Sequence, residues 1–230
     1  MQRQELKQGI RDSIPIILGY LPLGFAFGVL ANDVGMSIIQ ATMMSVLCFT
    51  GAGQYIAVGV MGAGGAIFTI IVANILVNLR YSLFSSSLVP YLKGRVPTAI
   101  SSLLSYGLTD ETYAVAMNRY QEHAPTASYI AGLNISSHIG WITSTLLGAV
   151  MGSFIGDTDR LGLNFTLPAM YICLLVFMIR RRSDIFVAIS AALICLLIGY
   201  FVPVTLENLF NIIIATVIAA SLGVFIGERD

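Results

Sequence analysis

The chain has 230 residues, 57% of them hydrophobic and 10% charged, with a formal net charge of +0 and a mean hydropathy of +0.84. Soluble domains carry about 25% charged residues, so the composition excludes a soluble globular fold and describes an all-α polytopic membrane protein. Balanced charge leaves no basic surface for nucleic acid and no acidic tail.

The polar lead Met1–Asp12 contains Arg3, Lys7 and Arg11. Lys and Arg near span ends favour the cytoplasm, so residues 1–12 are expected inside, ahead of a retained span rather than a cleavable signal. Beyond the lead, residues 13–32, 34–79, 123–156, 161–179, 185–206 and 208–227 carry no Asp, Glu, Lys or Arg. A crossing helix needs about 20 apolar residues. The runs are continuous, without the period-two alternation of a membrane barrel.

The apolar segments are 13–31, 37–61, 66–92, 98–118, 128–156, 161–179, 185–202 and 208–226. Asn32–Asp33 and the Pro203–Glu207 turn lack Lys and Arg, which suits the outside; Arg180, Arg181 and Arg182 mark the inside, and the C-terminus Gly227–Asp230 follows them there. Eight full crossings put Lys93 and Arg95 on the outer face. Six transmembrane helices plus two broken or re-entrant segments, 37–61 and 98–118, keep Lys93, Arg95 and Arg119 inside. The second arrangement is preferred, with residues 1–230 as one membrane domain.

Both doubtful segments carry breakers at their centres, Phe49-Thr50-Gly51-Ala52-Gly53-Gln54-Tyr55 and Tyr106-Gly107-Leu108-Thr109-Asp110-Glu111-Thr112. Unwound backbone in a membrane lines a cavity or is buried in protein, and paired interrupted segments point to a transporter binding site. A 57-residue offset sets Gln54 on Glu111 and Ala57-Val58 on Ala114-Val115, which raises an inverted repeat.

Asp110 and Glu111 are the sharpest feature, because an Asp at the centre of a span costs roughly 2.5–3.5 kcal/mol on insertion scales. They are candidates for proton coupling; capping of an unwound helix by Thr109-Asp110-Glu111 is the plain alternative. Arg80 has three competing uses: a bridge to one of these acids, a seat for a substrate carboxylate, or snorkelling to the headgroups. Asn74 and Asn78, four apart, share a helix face as a polar route or as interhelical glue. Gln54 and Tyr55 beside Gly51 and Gly53, with Thr109, complete the candidate substrate contacts.

Gly24 with Gly28, and Gly148 with Gly152, are small-xxx-small pairs read as close helix packing. Pro22 is expected to kink the first span. His138 and Trp141 share a face, and a hydrogen-bonded structural role is favoured for His138 over a proton relay. Cys48, Cys173 and Cys195 lie in apolar runs and are read as packing, with no disulfide or metal spacing. No HExxH, P-loop or GxSxG occurs, and no cofactor is expected.

Five stretches in this order together resemble the AzlC family: Gly9–Ile16, Gly19–Gly28, Phe49–Gln54, Asn78–Tyr81 and Leu108–Glu111. The resemblance runs from about residue 9 to the end and is stronger in the N-terminal half. It implies the large subunit of a bacterial branched-chain amino acid exporter in the inner membrane. It also implies a small AzlD-like partner subunit and amino acid substrates such as valine, leucine and isoleucine. Competing readings are a channel or facilitator for small solutes, and a structural subunit whose partner carries the path; an intramembrane enzyme lacks a recognisable nucleophile.

Overall fold

The computed structural model describes residues 2–154 and 182–202, with residues 162, 165, 168–169, 172, 175–176, 179, 214–215, 217–219 and 221–223. Arg180, Arg181, the Arg182 side chain, Cys173, the Pro203–Glu207 turn, Gly227–Asp230 and most of segments 161–179 and 208–226 lie outside the described residues. The chain forms two compact units, residues 1–167 and 168–230. Among the described residues all regular structure is helical.

The first unit contains α1 (Gln2–Asp33), α2 (Ile38–Leu47), α3 (Ala52–Gly62), α4 (Ile67–Leu92), α5 (Thr98–Leu104), α6 (Asp110–Tyr120) and α7 (Ala127–Gly152), with a 3-10 turn over Ser105–Gly107. The second contains α8 (Arg182–Phe201). Among the described residues three helices are long and apolar enough to cross a membrane: α1, α4 and Ser183–Phe201. At 26 residues α7 is as long as α4 but falls outside that group. Asn134, Ser136, Ser137, His138, Thr143, Ser144 and Thr145 lower its hydropathy, and most of these groups face protein rather than surroundings.

Helix ends are set by local chemistry. After α1, Gly35 takes φ +89°, Met36 N–H donates to Ala31 and Gly35 N–H to Asn32, a Schellman closure. Ser37 and Gln40 then form a capping box that starts α2. Helix α1 continues unbroken through Pro15 and Pro22.

The core of this unit is the contact between α1 and α7. Gly9 lies against Tyr129, Gly24 against Ser144, Gly148 against Phe25 and Gly152 against Val29. The pairs ascend together along both helices, so α1 and α7 run parallel. A Cβ at Gly28 would strike the Thr145 carbonyl, and one at Gly148 the Phe25 carbonyl. The two small-xxx-small pairs read from the sequence therefore pack against each other.

Each doubtful segment is interrupted, and each folds back. From Ser37, α2 runs to the middle of α1, where Phe49 meets the Tyr20 ring edge-on with centroids 6.0 Å apart. Helix α3 returns along α1: Tyr55 donates to the Leu23 carbonyl at 2.6 Å and stacks edgewise on Phe27, and Gly62 ends beside Val34. Helix α5 and its 3-10 turn bring Tyr106 to the Val46 carbonyl, at the tip of the first hairpin. Helix α6 returns along α4, with Tyr113 stacked on Phe84 at 4.4 Å and Tyr120 near Tyr91 at 6.2 Å. It finishes where Arg119 bridges Glu5 of α1 at 3.0 Å and lies over the Tyr129 ring. The first hairpin thus has both ends at the C-terminal end of α1, and the second has both at its N-terminal end.

Candidate functional site

The two hairpin tips meet beside Tyr20 of α1. The first break forms because Cys48 leaves helical geometry (φ −131°, ψ 61°) and Gly51 takes φ +53°, a region that favours glycine. Thr50 holds the loose turn: its hydroxyl accepts from Gly53 N–H at 3.1 Å and donates to Asn78 Oδ1 at 3.0 Å. Asn74 Nδ2 donates to the Gly53 carbonyl at 3.2 Å, and a Cβ on Gly53 would collide with Asn74 Oδ1. The two asparagines, one turn apart on α4, therefore clamp this break.

Gln54 is fully buried, and both ends of its amide are engaged. Trp141 Nε1 donates to its oxygen at 2.9 Å, and its nitrogen donates to Ser45 Oγ at 2.9 Å. Ser45 Oγ shares a 2.8 Å bond with Thr145, while His138 Nε2 donates to the Ser45 carbonyl at 2.9 Å and its ring stacks on Phe49. His138 and Trp141 thus fasten the first hairpin to α7. Tyr55 is likewise buried and spends its hydroxyl on α1. Cys48, by contrast, is exposed on this unit rather than packed.

At the second break Thr109 and Thr112 form a capping box for α6, with side-chain to backbone distances of 3.3 and 2.8 Å. Asp110 and Glu111 occupy the first turn, where the helix dipole favours anions. Adjacent residues diverge on a helix, and the two acids take different partners. Asp110 pairs with Arg80 of α4 at 2.8 Å, while Glu111 accepts from the Tyr20 hydroxyl at 2.8 Å. Tyr20 also lies 2.8 Å from Thr109 Oγ1. Of the three uses weighed for Arg80, the bridge to Asp110 is the one present. Its Nε is buried and has no hydrogen-bond partner.

Arg80, Thr109, Asp110 and Glu111 are therefore brought together with Tyr20. Gly51, Gly53, Asn74 and Asn78 form the first break. Gln54 sits behind it, joined to Tyr20 through Trp141, whose ring meets Tyr20 edge-on at 5.3 Å. Sequence reasoning missed Tyr20, Ser45 and Thr145. A lone phenol or hydroxyl in an apolar run has no charge to mark it, although Tyr20 falls within the Gly19–Gly28 stretch. Among the described residues no three His, Cys, Asp or Glu are grouped to hold a metal ion.

The AzlC protein family model matches residues 15–155, a span that contains both hairpins and α1, α4 and α7 apart from the first residues of α1. The inner membrane protein YgaZ of Escherichia coli (strain K12) is 27% identical over 220 residues, covering 94% of this chain and 87% of its own. A membrane protein of Archaeoglobus fulgidus is 33% identical over 178 residues, covering 76% and 77%. The branched-chain amino acid transport protein AzlC of Bacillus subtilis (strain 168) is 23% identical over 168 residues, covering 71% and 64%. No solved structure matches the chain. On the family match and these relatives together, the chain belongs to the AzlC family.

Proposed function

We propose that the chain is the large subunit of a two-component secondary transporter that exports branched-chain or related neutral amino acids across the bacterial inner membrane, coupled to protons. Membership of a membrane-transport family supports this, as do the transport name of the Bacillus subtilis relative and the inner-membrane name of the Escherichia coli one. In this reading residues 1–230 form one membrane domain. Helices α1, α4, α7 and α8 cross with segments 161–179 and 208–226, and the hairpins enter from opposite faces. Both termini are cytoplasmic. Arg119 pairing with Glu5 of the lead, at the end of α4 that carries Lys93 and Arg95, supports one inner, positive face. A small AzlD-like subunit completes the carrier.

The observation that carries the proposal is the meeting of two oppositely directed breaks beside a charged pair at the middle of α1. A zwitterion needs donors for its carboxylate and acceptors for its ammonium. The unpartnered Nε edge of Arg80 suits the first. Asp110 and Glu111 suit the second. Gly51, Gly53, Asn74, Asn78 and Thr109 shape the breaks, and Gln54 and Tyr55 hold the first hairpin in position. Proton uptake by Asp110 or Glu111 loosens its link to α4 or α1, which lets a hairpin move and exposes the solute to the other side.

The test is substrate-driven proton flux in vesicles containing the chain and its companion. Asp110→Asn and Glu111→Gln are expected to remain folded while at least one loses coupling by roughly 100-fold, the lower range for a positioned acid or base. Unchanged coupling in both variants removes the carboxylates as proton carriers.

A further inference from the structure

Between the second half of α4, the α5–α6 hairpin and α7 lies a cavity of about 450 Å³. Small-molecule pockets occupy about 300–1,000 Å³, so it is large enough for a solute the size of an amino acid. Its wall is chiefly apolar, from Leu88, Leu108, Ala116, Ile130 and Leu133, all 8% exposed or less. Lys93 stands at the end of α4, and Leu108 and Thr112 bring the wall to the second break. One buried polar atom of the wall has no partner within the protein. Ser101 of α5 lines the cavity, and its Oγ is buried without any hydrogen-bond partner. A hydroxyl facing an apolar wall is unfavourable unless something bonds to it.

The first hairpin packs on aromatic rings. Beside it Phe27 meets Tyr55 edge-on at 5.7 Å and stacks on Trp141 at 6.4 Å, and Phe49 closes on His138 at 4.4 Å.

We propose that this cavity is the loading pocket for one aliphatic amino acid, whose polar head takes the Ser101 hydroxyl and whose side-chain length is limited by Ala116 and Leu133. The inference deepens the transport reading and rests on it for the substrate class. It adds what that reading lacks, the residues that select among neutral side chains. None of the charged residues at the breaks lines the cavity, so the pocket and the proton step are separable by substitution.

The experiment measures equilibrium binding of labelled leucine, with valine, isoleucine and phenylalanine as competitors, to the purified chain with its companion, alongside transport in vesicles. One methylene in an apolar pocket is worth about 10- to 200-fold. Ala116→Leu is expected to weaken leucine at least ten-fold more than valine, and Leu133→Ala to improve phenylalanine by about ten-fold. Ser101→Ala, which leaves the pocket's shape nearly unchanged, should weaken all four together with their order kept. Variants are compared once each elutes as a single folded species, and Ser101→Ala and Leu133→Ala carry the test if Ala116→Leu does not. Wild-type binding with an unchanged competitor order in the folded variants overturns the pocket. Binding that behaves as expected without any transport overturns the transport reading and leaves the pocket standing; absence of both overturns both.

Discussion

Tyr20 has one proton to give, and Glu111 Oε2 at 2.8 Å takes it. Thr109, also 2.8 Å away, must then donate to the Tyr20 oxygen while its own lone pair accepts Thr112 N–H. A single phenol thereby ties α1 to both the cap and the carboxylate of α6. Arg80 and Asp110 tie α4 to the same turn. Removing one member of a poorly solvated ion pair leaves the other charge uncompensated, which is worse than removing both. Asp110→Asn and Arg80→Gln are each expected to destabilise the folded protein more than the double variant does. Denaturant unfolding in detergent should give a coupling of about 1 kcal/mol or more; additive effects would contradict the pairing. The charges were legible in the sequence because an ion in an apolar run needs a partner. Which acid Arg80 takes was not, since Asp110 and Glu111 differ only in the direction each leaves the helix. Gln54 was visible as polar, but its partners Ser45 and Trp141 are distant in sequence, so its internal use was hidden.

At the scale of elements, backbone chemistry explains what was legible. Gly51 and Gly107 mark the two breaks. A Cβ at Gly107 would meet Asn134 of α7, so the tip fits only without a side chain. The residues capping α3 and α6, Gly51 and Thr109, stand 58 apart, one more than the offset read from identities. Helices α3 and α6 are both 11 residues long, and each packs on the long helix preceding the other hairpin. Tyr20 of α1 bonds Thr109 at the second break, and Asn78 of α4, 58 residues after Tyr20, bonds Thr50 at the first, 59 residues before Thr109. Segment 128–156 was legible as one element and forms α7, although its polar groups dilute its hydropathy; its small face of Gly132, Gly140, Gly148 and Gly152 is spaced to meet α1. Gly148→Ala must push α1 away from α7 and is expected to lower stability by about 2 kcal/mol or more, as overpacking does. Gly19→Ala, with nothing within 4 Å of its Cβ, should be neutral or gain up to about 1 kcal/mol from helix propensity. Thermal unfolding of both variants checks this, and equal effects would contradict the parallel α1–α7 contact.

For the whole molecule, the exposed surface is as informative as the core. Ile67, Phe68 and Leu83 of α4 and Leu196 of α8 are each more than 70% exposed. Such a surface is tolerable in hydrocarbon and not in water, which is why composition alone set the class. What composition does not set is the mode of movement, because a carrier and a pore expose the same lipid-facing residues. The account holds that the meeting hairpins form a carrier site exposed to one side at a time. Counterflow in vesicles containing the purified chain and its companion tests this most directly. Unlabelled leucine trapped inside is expected to accelerate entry of labelled leucine several-fold and to drive a transient overshoot. Labelled leucine that enters at the same rate whether or not the trapped amino acid is present would contradict it.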